Sequence, residues 1–163
     1  MATVLRKTFP GCQALADAIN DLKAQIGPGA FFHLDKCERV IVSPNATDLP
    51  TSLVLVNEIR AVYNFHIADS LALKAVDTVN TIASGPAIDL ATAQTLANQI
   101  KVAYTAHIAS TTYNYAADAT NTIAAANATD QTTLNTLVNA LKTAINAHLA
   151  SGPAAKSIRV VSG

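Results

Sequence analysis

The chain has 163 residues, half of them apolar but only 5% aromatic and 13% charged, with eleven basic residues balancing eleven acidic ones. It is long enough to bury a core without staples, and it lacks the basic stripe that a nucleic-acid partner requires. It has no apolar run of about 18 residues, and no apolar stretch follows the first basic residues, so neither a membrane span nor a secretory signal is expected.

In chain order, Thr3-Val-Leu-Arg-Lys is a short strand candidate. Leu15, Ala18, Ile19, Leu22 and Ile26 then mark one face of a helix, which Gly27-Pro28-Gly29 stops. Cys12 and Cys37 belong to no CxxC pair and read as reduced thiols; a disulfide is expected only if the protein works outside the cell. Arg39-Val-Ile-Val-Ser is a second strand candidate.

From Asp48 onward the chain repeats. The segments opening at Asp48, Asp89 and Asp130 align without gaps, and His66, His107 and His148 recur at intervals of 41 residues. Asn57, Asn98 and Asn139 keep that interval, as do Arg60, Lys101 and Lys142. Ala93, Leu96, Ala97, Ile100, Ala103 and Tyr104, followed by His107 and Ile108, give the wide stripe of an amphipathic helix about six turns long. The three aspartates stand where an N-cap is wanted, and Pro50 is tolerated in a first turn. The stretch from Leu15 to Ile26, with Asn20 and Lys23, reads as a fourth, altered copy.

Connections of about nineteen residues separate the helices, long enough to run back along a helix of about 33 Å so that successive helices lie parallel. Asp77-Thr-Val-Asn80-Thr-Ile recurs as Asp118-Ala-Thr-Asn121-Thr-Ile. The Thr and Asn content disfavours a long helix there, although residues 70–82 are compatible with a short one. Ser157-Ile-Arg-Val-Val-Ser ends the chain as a third strand candidate. The expected fold is mainly α: one repeat-built domain, 1–163, with units at approximately 11–47, 48–88, 89–129 and 130–163. Three to four long helices joined by long return connections form a bundle, and the terminal strands add a small β element.

No catalytic constellation is present: GxSxG, P-loop, GxGxxG and HExxH are all missing, and no catalytic or cofactor-binding residue is assigned. Parallel helices would bring His66, His107 and His148 into one layer, the raw material of a metal site. No repeated carboxylate lies three or four residues on, so the preferred reading is structural, with each imidazole satisfying carbonyls of a returning loop and no metal bound. Asn57, Asn98, Asn139, Arg60, Lys101 and Lys142, with Asp77, Asp118, Asn80 and Asn121 from the connections, are expected to form one structural polar network per repeat.

The string Asn-x-[Ile/Leu]-[Lys/Arg]-x-x-[Tyr/Ile]-[Asn/Thr]-x-His-[Ile/Leu]-Ala, joined by Thr-Thr-x-x-x-Ala-Ala-Asp-x-Thr-Asn and Ala-Asn-Ala-Thr-Asp, resembles a tandem helical repeat of tailed-bacteriophage proteins and covers residues 45 to 151. The resemblance implies a virion location and a non-enzymatic structural role, as a capsid decoration or cement protein or another head-associated assembly protein. Its partners would be further copies of itself or the major capsid protein. The alternative is a module whose repeat faces bind a host or scaffold protein.

Overall fold

The computed structural model describes residues 40–68 and 73–151, which lie within one compact unit, Glu38–Pro153. The expected fourth repeat copy, the strands at Thr3 and Ser157, and both cysteines lie outside the described residues. The described residues contain three helices: α1 (Leu49–Ile67), α2 (Leu90–Ala109) and α3 (Gln131–Ser151).

Each helix begins in the same way. Asp48, Asp89 and Asp130 accept the backbone N–H of Thr51, Thr92 and Thr133, and each threonine hydroxyl in turn accepts the aspartate's own N–H. This reciprocal capping box satisfies donors that the first turn leaves orphaned. The threonine replaces the usual Glu or Gln at the third helical position.

The helices are parallel, because like ends meet. Ser52 Oγ at the start of α1 donates to Asn135 Oδ1 at the start of α3, while at the far ends the His66 ring lies against those of His107 and His148. Each helix packs against both others, forming a triangle rather than a row. Residues one period apart therefore share a layer around a pseudo-threefold axis. Successive buried layers are Leu55/Leu96/Leu137, Val56/Ala97/Val138, Ile59/Ile100/Leu141, Tyr63/Tyr104/Ile145 and, beyond the histidines, Ile67/Ile108/Leu149.

The connections run back in extended form beside the helix they have just left. Asn64, near the end of α1, holds Ile82, and Asn57, two turns earlier, holds Ala87. Such a segment has no strand beside it, yet its backbone groups still need partners. Asparagine supplies them, since its carboxamide carries one acceptor and a donor group, as a peptide unit does.

Two local expectations are corrected. Residues 40–43 form no strand: the Ile41 N–H goes to Asn146 and the Val42 and Ser43 N–H groups go to Glu58. Side chains thus take the ladder's place, and the small β element is not found among the described residues. The described part of the 70–82 stretch is not helical either. There Asp77 accepts the N–H groups of Val79 and Asn80 in an Asx turn, while its own N–H caps the Ile67 carbonyl.

Candidate functional site

The ten polar residues singled out by their period separate into two sets at different heights on the bundle. The first consists of latches. Asn57 pairs with both backbone groups of Ala87, Asn98 with those of Ala128, and Asn139 with those of Ala46. The lysines reach the same segments: Lys101 Nζ donates to the Ala125 carbonyl at 2.7 Å and Lys142 Nζ to the Ser43 carbonyl at 2.6 Å. Arg60 differs, since its buried Nε has no hydrogen-bond partner. A guanidinium does not reproduce the point-like ammonium that fits this carbonyl pocket.

Asp77, Asp118, Asn80 and Asn121 do not join those latches. Asp77 Oδ2 accepts from the Asn80 amide and lies 2.8 Å from His107 Nδ1; Asp118 Oδ2 does the same with Asn121 and, at 2.8 Å, with His148 Nδ1. Each aspartate is anchored beneath one helix, through Ile67 or Ile108, and reaches the histidine of the next. Burial pushes the Asp77 carboxyl up, but hydrogen bonds from Asn80, His107 and Val79 outweigh it and hold the group below the usual carboxylate range. Asp118 shows the same contest and is also depressed. Both are therefore carboxylates that accept, so an imidazole carrying a single proton holds it on Nδ1 at either position.

That tautomer leaves Nε2 of His107 and His148 as lone-pair acceptors. His107 Nε2 faces His66 Nε2 at 3.3 Å, and one ring nitrogen from each of the three histidines lies within 4.8 Å of the others. The three rings are mutually perpendicular, with centroids 5.2, 5.3 and 5.7 Å apart. His107 and its partner Asp77 are fully buried, and His148 nearly so. Burial lowers the His107 pKa and so favours the neutral imidazole, opposed by the hydrogen bond that His107 Nδ1 donates to Asp77.

Above the histidines, the Tyr63 and Tyr104 hydroxyls donate outward to the Asn80 and Asn121 carbonyls, and both rings stand edge-on to a histidine. The third place in that layer is Ile145. An open groove of about 730 Å³ lies elsewhere, along residues 79–84 and the outer face of α2. Its lining includes Val79, Thr81, Thr95, Gln99 and Val102 and contains no titratable side chain.

Each histidine–aspartate pair joins a helix to a connection, so no pattern within one helix reveals it. Their signal is a constant offset of 30 residues from Asp77 to His107 and from Asp118 to His148. Asn64, Asn146 and Glu58 also serve as latches, without a strict counterpart in every repeat. None of the helices among the described residues is long and apolar enough to cross a membrane. Compared with known proteins, the chain matches no family model, no curated protein and no solved structure.

Proposed function

We propose that the chain is a non-enzymatic structural protein of a phage virion, acting as a capsid decoration or cement protein or in another head-associated assembly role. The observation that carries this reading is the closed pseudo-threefold bundle, whose repeated polar side chains hold the chain's own connections. The groove beside α2 offers no acid, base or nucleophile of adjusted pKa to a substrate. The exposed apolar side chains Val79 and Val102 at the groove, and Val54 and Ile88 elsewhere among the described residues, favour contact with other protein. Three near-equivalent faces also suit a shell lattice, where one chain can meet several identical subunits through related contacts.

The test is quantitative mass spectrometry of purified particles from the source of this sequence. A fixed ratio to the major shell protein, one per subunit or one per three, is the expected result. A few copies per particle would move the protein to the portal, neck or tail. Complete absence would overturn the virion reading, and tight capture of a single host protein would put a binding module in its place.

A further inference from the structure

We infer that His66, His107 and His148 form a three-nitrogen site for one divalent transition-metal ion, zinc in the first instance, which pins the carboxyl-terminal ends of the three helices together. The virion reading does not enter this inference.

Geometry is the first support. A tetrahedral ion with metal–nitrogen bonds of about 2.0–2.1 Å needs donor nitrogens about 3.3–3.4 Å apart and imidazole centroids about 5 Å apart. His66 and His107 present Nε2 atoms 3.3 Å apart, and the ring centroids stand 5.2–5.7 Å apart. One ring nitrogen from each histidine lies within 4.8 Å of the other two, so a single ion fits between all three with a modest contraction of the layer. The three rings are mutually perpendicular, and the ring nitrogens of His66 and His107 are directed at one another rather than stacked face to face.

Proton bookkeeping is the second. With Asp77 and Asp118 holding the protons on Nδ1, His107 and His148 both turn lone pairs toward the axis. The 3.3 Å His66–His107 contact can hold only one proton between its two nitrogens, and a positive ion on the axis would take that proton's place. A cation on the axis satisfies both lone pairs along with that of His66. The same carboxylates supply what metal-binding histidines usually have behind them: an acceptor on the second ring nitrogen that fixes the tautomer and raises ligand basicity.

Three imidazoles without a thiolate select borderline ions such as zinc, nickel, cobalt or copper rather than calcium or magnesium. The three donors leave one tetrahedral position for a water molecule. The layer is enclosed between Tyr63/Tyr104/Ile145 and Ile67/Ile108/Leu149, a setting that suits a structural ion.

The test uses the full chain, purified without a polyhistidine tag, stripped with chelator and titrated with Zn²⁺ or Co²⁺. One equivalent of either ion should bind, the Co²⁺ form should show tetrahedral visible absorption, and Zn²⁺ should raise the Tm. Asp77→Asn, chosen because it keeps the shape of the site, should weaken binding about 10- to 100-fold while circular dichroism shows an intact helical fold. His107→Gln should abolish the Co²⁺ spectrum. A combined Cys12→Ser, Cys37→Ser, His33→Ala variant should retain it, since it keeps all three proposed ligands. No stoichiometric ion, or a Co²⁺ spectrum lost in that combined variant but kept in His107→Gln, would overturn the assignment.

Discussion

Asn139 holds Ala46 across 93 residues of sequence, accepting its N–H at 2.7 Å and donating to its carbonyl at 3.0 Å. Asn57 does the same for Ala87 and Asn98 for Ala128, but those pairs lie only 30 residues apart. The third helix thus grips the segment leading into the first, and the repeat array closes on itself instead of continuing as an open solenoid. In a closed ring no latch is terminal. Asn57→Ala, Asn98→Ala and Asn139→Ala should therefore cost similar amounts, about 1–3 kcal/mol each, because each strands a backbone donor and acceptor that are partly shielded from water. Urea denaturation should show one transition for the parent and all three variants. A separate early transition in Asn139→Ala alone would mean that the ring is not a cooperative unit.

The period, helix register and caps were legible because each is a local rule repeated three times: an Asp at the helix start, an apolar stripe, and a histidine near the helix end. Closure was not legible. Ile41 and Ala46 sit one period before Ile82 and Ala87, but the sequence does not say which helix receives them, because that depends on the order of helices around the axis. The histidine partners escaped for a related reason. Asp77 lies before α2 in sequence yet is anchored at the end of α1, so it meets His107 only once two helices stand side by side. The β-branched run at 40–43 was misread because strand propensity describes a side chain that fits an extended, half-buried backbone, and an extended segment latched by Asn146 and Glu58 meets that description without a sheet.

Ala97 occupies a layer with Val56 and Val138 and is wholly buried. Its methyl sets how closely α2 approaches the axis at that height. Ala97→Leu adds three carbons to a close-packed interior and should destabilise the protein by about 1–3 kcal/mol. Val102→Ala, on the same helix but 68% exposed, should stay within about 0.5 kcal/mol of the parent. Paired thermal melts would check the contrast, and equal effects would place α2 in a different rotation about its axis.

Tyr104 places its hydroxyl 2.8 Å from the Asn121 carbonyl and 3.0 Å from that of Ala144. One hydroxyl proton serves two acceptors, so the bond couples the return of one connection to the adjacent helix α3. Tyr104→Phe should cost about 1 kcal/mol, and it should raise amide hydrogen exchange around residues 119–123 more than in the helices. Unchanged exchange there would indicate that the connection is held by the Asp118 turn alone.

Stability should fall at both extremes of pH, for different residues. Hydrogen bonds from Thr51 and Thr92, led by their hydroxyls, hold Asp48 and Asp89 below the ordinary carboxylate value of 3.8, and the Thr133 amide does the same for Asp130. A depressed carboxylate stabilises the native state above its unfolded pKa, and that contribution is lost as the pH drops through the lower folded value. Burial raises the Tyr63 and Tyr104 hydroxyls well above their ordinary 10.0, with the Asp77 and Asp118 charges adding to it. Their contribution is full below 10 and is lost as pH rises past it, because the unfolded chain ionises first. Denaturation midpoints followed across both limbs should show the two declines. Asp89→Asn, which keeps a good cap but cannot titrate, should flatten the acid limb without touching the alkaline one, and Tyr63→Phe should do the reverse. An acid limb unchanged in Asp89→Asn would shift that decline to carboxylates other than the cap.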